Sequence, residues 1–211
     1  YERESHRGVD MESLMKFYGC NYIVQEVTTQ HPTLASIHPQ SLNTIRVISF
    51  LFQGSVHISS AILRMGVAGS RLDNVSAGGM ACPVRFDGTL SPRAINRQSQ
   101  WMTRHPGGTV FSEVTVPSYQ RVLATIRRVH QNIPYFRIIG WDFAIDREGD
   151  PVFIEYNGAP GMNQVSCGPL FGDLTESVLN TIFLNEPEFP REPEFPLERC
   201  QTFLNQERMV V

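Results

Sequence analysis

Apolar and polar residues alternate along several stretches of this chain, and the alternation predicts strands. Residues 43–52 and 55–64 are two such runs, joined by Gln53-Gly54 as a hairpin. Residues 81–86 and 89–95 bracket Asp87-Gly88, a strong hairpin signal. A last pair flanks Arg147-Glu148-Gly149-Asp150, between Gly140 and Asn157. Helical spacing occurs three times. Asp10 is placed to cap a short helix to about Tyr18, with Leu14, Met15 and Tyr18 apolar and Gly19 as its stop. Ser118 opens a helix to about Gln131, with Val122, Leu123, Ile126 and Val129 as its buried stripe. Asp173 opens another through Leu184, with Glu176 in its first turn and Leu174, Val178, Leu179 and Ile182 facing the core. Residues 21–28 read as a strand and 28–41 as a loop. The polar stretch 96–117 reads as a functional or poorly ordered loop. Beyond residue 185, Glu-Pro-Glu-Phe-Pro occurs twice, which predicts an extended tail that straps onto the domain through Phe189 and Phe195. The expected fold class is α+β, a largely antiparallel sheet flanked by helices.

The hairpin between Gly140 and Asn157 carries the chemistry. With the turn centred between Glu148 and Gly149, Asp142 falls opposite Glu155, and Gly140 opposite Asn157. Trp141 then meets Tyr156, Phe143 meets Ile154 and Ile145 meets Val152, giving an apolar face for a core. The other face gathers Asp142, Glu155 and Asn157, since residues two apart on a strand share a side. Opposed side chains sit roughly 5 Å apart at Cβ, and like charges there repel. Two readings stay open from the residues alone. The acidic face meets water, or a divalent cation such as Mg²⁺ turns the repulsion into coordination by hard oxygen ligands. Gly140 leaves room for a ligand to approach the backbone.

Composition narrows the class. Of 211 residues 41% are hydrophobic and 18% charged, the balance of an ordinary globular chain. A net charge of −3 gives no footprint for nucleic acid or a polybasic membrane anchor. No apolar run reaches the length of a membrane-spanning helix, and no signal peptide opens the chain. The chain begins at Tyr1, so a processed or trimmed piece is expected. The four cysteines, Cys20, Cys82, Cys167 and Cys200, are widely spaced, as expected of reduced thiols in a cytoplasmic protein. The six histidines show no ligand spacing.

Read together, the motifs carry a resemblance. The hairpin followed by Gly158-Ala159-Pro160-Gly161 is similar to the metal-binding end of the ATP-grasp ligases. The resemblance assigns Asp142, Glu155 and Asn157 to Mg²⁺, with Mn²⁺ as a substitute, on the phosphates of ATP. The run Ile23-Val24-Gln25-Glu26 is similar to the hinge of the ATP-grasp glutamate ligases that extend a ribosomal protein. It implies that Gln25, Glu26 and Val27 read the adenine. Thr44-Ile45-Arg46, Arg64, Asn74 and Gly78-Gly79 follow the order of nucleotide contacts in those ligases, with Thr44 standing where the family has an acidic ribose contact. Arg46 and Arg64 would steady phosphate or acyl-phosphate charge. Whether the two arginines share a face depends on the turn at Gln53-Gly54: a two-residue loop separates them and a three-residue loop unites them.

Adding His31-Pro32, His105-Pro106, Val116-Pro117 and Gly140-Trp141-Asp142, the chain most resembles the sugar-transfer-associated ATP-grasp family over residues 20–184. That resemblance implies a C-terminal ATP-grasp lobe. Residues 1–19 would be a remnant of a linker or N-terminal lobe, 20–184 the hinge strand and lobe, and 185–211 the proline-rich tail. No phosphate-covering glycine-rich loop or strand lysine precedes Gln25, and Lys16 is a poor substitute. The N-terminal lobe is therefore expected to be largely missing and isolated ATP affinity low. The implied activity is an ATP- and Mg²⁺-dependent carboxylate–amine ligase acting on small, sugar-linked substrates in cell-surface polysaccharide biosynthesis. The alternatives are a non-catalytic nucleotide- or glycan-associated binding module and a small-molecule kinase on the same fold. His31 and His105 are candidates for a substrate loop, or structural.

Overall fold

A computed structural model of the chain describes residues 10–20 and 26–184, apart from residues 68, 71, 74, 76, 77 and 162. Gln25, Asn74, Cys200 and the expected strap from Phe189 and Phe195 lie outside the described residues. The first helix, α1 (Met11–Tyr18), is capped by Asp10, whose carboxylate accepts from the Ser13 amide, and stops at Gly19 with φ +74°. Glu26 and Val27 follow as exposed, irregular chain, so the strand expected through residue 28 is not formed there. The loop that follows contains a four-residue helix, α2 (Pro32–Ala35), opened by His31 and Pro32.

Seven strands make one antiparallel sheet: β1 (Thr44–Phe52), β2 (Ser55–Met65), β3 (Met80–Pro83), β4 (Ala94–Asn96), β5 (Trp101–Met102), β6 (Ile138–Ile145) and β7 (Pro151–Asn157). Their order is β5-β4-β3-β2-β1-β6-β7, so β1 lies between the two elements that carry the polar residues of interest. Helix α3 (Tyr119–His130) covers one face with Val122, Leu123 and Ile126 fully buried. Phe111, Val114, Val116, Trp141 and Phe143 complete that core. Two short helices, α4 (Gln164–Cys167) and α5 (Thr175–Phe183), follow the sheet.

The structure corrects several expectations. Residues 96–117 hold β5, a 3-10 turn at Phe111–Glu113 and paired bridges, and bury Phe111 completely. The Asp87-Gly88 hairpin has a three-residue tip, with the Arg85 amide on the Thr89 carbonyl and Gly88 at φ +91°. Ser118 begins α3 at φ +52° but does not cap it; its hydroxyl donates to the Gly149 carbonyl. Asp173 lies in a 3-10 turn ahead of α5 and makes no cap bond. Only Val178 of the α5 stripe is buried, while Leu179 and Ile182 are exposed.

Candidate functional site

The site grows from two hairpins, each displaced by one extra residue. In β1–β2 the turn is two residues long, with Gln53 at φ +48° and Gly54 at φ +69°, and pairs Phe52 with Ser55. That register alone would turn Arg64 away from Arg46. A bulge opposite the Ile48–Ser49 step absorbs Ser59, after which Arg46 pairs with Ile62 and Thr44 with Arg64. The bulge thus brings Thr44, Arg46 and Arg64 onto one face, an outcome the turn length could not reveal.

In β6–β7 two offsets cancel. The loop is three residues long: the Asp146 amide donates to the Asp150 carbonyl, and Gly149 sits at φ +91°. Ile145 therefore pairs with Pro151 and Phe143 with Phe153, not with Val152 and Ile154 as the two-residue turn implied. A bulge between Asp142 and Phe143 restores the expected register, so Asp142 faces Glu155 and Gly140 faces Asn157. Phe153 takes the apolar place against Trp141 and Phe143. Ile154 instead lines a cavity.

That cavity, about 510 Å³, is lined by Thr44, Arg46, Arg64, Asp73, Asp142, Glu155 and Asn157, together with Leu42, Leu72, Ile154 and the loop 159–161. Asp142 is 1% exposed, and both of its oxygens are engaged. Arg46 donates through Nε to Oδ1 and through Nη2 to Oδ2, the latter at 2.6 Å. Arg64 Nη2 lies 3.0 Å from Asp142 Oδ2. Its hydrogen bonding to Asp142 raises the Arg46 pKa above its usual value, aided by the charges of Asp142, Glu155 and Asp73 against the cost of burial. The positive charge that two facing acids require is thus supplied to Asp142 by guanidinium groups. Glu155 is exposed, and Asn157 Nδ2 reaches its Oε1 at 3.5 Å.

The donor set suits a hard cation: Asp142, Glu155 and Asn157 border one cavity, and Asp142 Oδ1, which takes its hydrogen bond from Arg46 Nε, keeps a lone pair for a metal. Among the described residues no group of three or more His, Cys, Asp or Glu forms a closed metal cage. Space for a ligand over Gly140 is not present, because Pro160 Cβ lies 2.6 Å from where a side chain there would begin.

Asp73 is the site residue that strand patterning missed. It lies in the connection between β2 and β3, 9% exposed, and its Oδ2 accepts from the Thr44 amide at 3.1 Å and from the Thr44 hydroxyl. Its only signal was its place beside Asn74 ahead of the glycine pair. Of the other candidates, Glu26 and Val27 are exposed and do not line the cavity. His31 Nδ1 accepts from the Thr33 amide, and His105 donates through Nε2 to the Gly66 carbonyl at 2.8 Å, so both serve the backbone.

The family model described as sugar-transfer associated ATP-grasp matches residues 10–175, most of the chain. No curated protein matches it.

Proposed function

Because this chain belongs to the sugar-transfer associated ATP-grasp family, we propose that it works as an ATP- and Mg²⁺-dependent carboxylate–amine ligase. The γ-phosphoryl group passes to a carboxylate, ADP leaves, an amine attacks the acyl phosphate, and phosphate departs as the amide forms. The substrates are a small carboxylate and an amine, one of them sugar-linked, in cell-surface polysaccharide biosynthesis. The compartment is the cytoplasm, a reading in keeping with Cys20, Cys82 and Cys167 as free thiols. Among the described residues, no helix is long and apolar enough to cross a membrane.

The observation that carries this reading is the joining of Asp142, Glu155 and Asn157 with Arg46 and Arg64 around one cavity. Asp142, Glu155 and Asn157 would hold Mg²⁺, which supplies charge neutralisation on phosphate oxygens. Arg46 and Arg64 hold their forks rigidly along one face and present N–H groups where phosphoryl charge develops. Thr44, which the resemblance sets at the ribose contact, borders the same cavity together with Asp73. Gln25 is assigned to the adenine and Asn74 to the nucleotide by resemblance, with Glu26 and Val27 supplying backbone groups at the hinge.

A second reading, a non-catalytic nucleotide-binding module, is favoured by the pairing of Asp142 with both arginines. ADP release from the full-length protein, screened against carboxylate and amine pairs, separates the two. Glu155→Gln is the informative variant, since Glu155 is exposed. It is expected to lower Mg²⁺-dependent ADP release at least ~100-fold with an unchanged melting temperature. Unchanged turnover would remove the metal assignment, and absence of ADP with every pair would favour the module.

A further inference from the structure

We propose that Asp73 is the positioning residue of this site, acting on the bound nucleotide through Arg64; the inference rests on the ligase reading above. Arg64 is held along two edges. Its Nη2 meets Asp142 Oδ2 at 3.0 Å. Its Nε and Nη2 donate to the Thr44 hydroxyl at 2.9 and 2.7 Å, and its Nε stands 3.5 Å from Asp73 Oδ2. A hydroxyl has one proton to give. The Thr44 proton goes to Asp73, so the lone pairs of Oγ1 are turned toward Arg64. Asp73 therefore fixes Arg64 twice, by its charge and by orienting the hydroxyl that receives the guanidinium.

The carboxylate is itself pinned. The Asp73 carbonyl oxygen lies 2.5 Å, and the Met65 carbonyl oxygen 2.7 Å, from where a Cβ on residue 79 would stand; only glycine there lets the chain close so tightly. Upstream, His38 Nε2 donates to the Ser70 carbonyl at 2.9 Å, and the Ser70 hydroxyl donates to the Leu72 carbonyl at 2.8 Å. The consequence appears when Asp142 turns to a cation. Arg64 then loses one of its acidic partners, and Asp73 with Thr44 still holds the fork aimed into the cavity.

The test is a double-mutant cycle in the full-length protein, read as MgATP affinity by calorimetry. Asp73→Asn keeps the shape and an acceptor oxygen but removes the charge. It is expected to weaken MgATP ~10-fold with Arg64 present and less than ~2-fold in the Arg64→Met background, because the effect runs through that arginine. Equal losses in both backgrounds would overturn the positioning role while leaving the nucleotide reading standing. If Arg64→Met alone leaves MgATP affinity unchanged, both are overturned. A ligand-free measurement covers poorly behaved variants. The Arg64 Nε–H signal in NMR, identified by its loss in Arg64→Lys, is expected to shift and exchange faster in Asp73→Asn. An unmoved signal would also overturn the proposal.

Discussion

Asp142 is 1% exposed, and its carboxylate is met by the forked hydrogen bonds of Arg46 and by the Arg64 guanidinium at 3.0 Å. The pair with Arg46 matters at the level of single residues in a way an exposed ion pair does not. Arg46→Met leaves a buried carboxylate short of its main partner and is expected to cost about 3 kcal/mol of stability. In an Asp142→Leu background the same change is expected to cost less than about 1 kcal/mol, since no charge is stranded. Urea unfolding of the four proteins checks this; equal costs in both backgrounds would mean that the arginine stabilises through its hydrocarbon stem. The residue types of this cluster were readable from sequence for Asp142, Glu155, Asn157, Arg46 and Arg64. Asp73 was not, because a lone acid in a connection has no periodicity to mark it, and only the fold brings it against Thr44.

At the level of elements, the long strands and α3 follow their apolar spacing, since burying one face is what that spacing encodes, whereas the stripes of α1 and α5 leave Met15, Tyr18, Leu179 and Ile182 exposed. Register is different. Arg64 joins Arg46 only because Ser59 is left out of the ladder, and Asp142 faces Glu155 because a bulge undoes a one-residue offset at the turn. A bulge is decided by packing on both sides of a strand at once. Phe153 turns inward against Trp141 and Phe143, and Ile154 is displaced toward the cavity. A single strand's alternation does not contain that choice. Caps show the same limit: Ser118 had a suitable side chain, but the Gly149 carbonyl on a neighbouring hairpin took its hydroxyl.

Across the whole molecule, buried histidines join the helical layer to the sheet. Trp141 Nε1 donates to the Ser49 hydroxyl at 2.7 Å, that hydroxyl donates to His130 Nδ1, and His130 Nε2 donates to the Phe136 carbonyl, both at 2.8 Å. His105 similarly ties residues 96–117 to Gly66. Burial lowers the pKa of both rings below the ordinary 6.5, so each is neutral in the fold. The unfolded chain then binds protons more readily than the folded one. This contribution to stability is full above about pH 6.5 and is lost as pH falls through that value toward the lower folded pKa. Urea midpoints are expected to drop between pH 7.5 and pH 5.5; equal or higher stability at pH 5.5 would mean that neither ring resists protonation.

The ligase reading stands or falls on where a divalent cation settles when nucleotide is present. Mn²⁺ added with ATP to the isotopically labelled full-length protein broadens the NMR signals of nearby nuclei, and so maps the site without reference to turnover. The expected result is broadening centred on the backbone amides of Asp142, Glu155 and Asn157, lost in Glu155→Gln. Broadening centred elsewhere, or the same pattern in that variant, would contradict it.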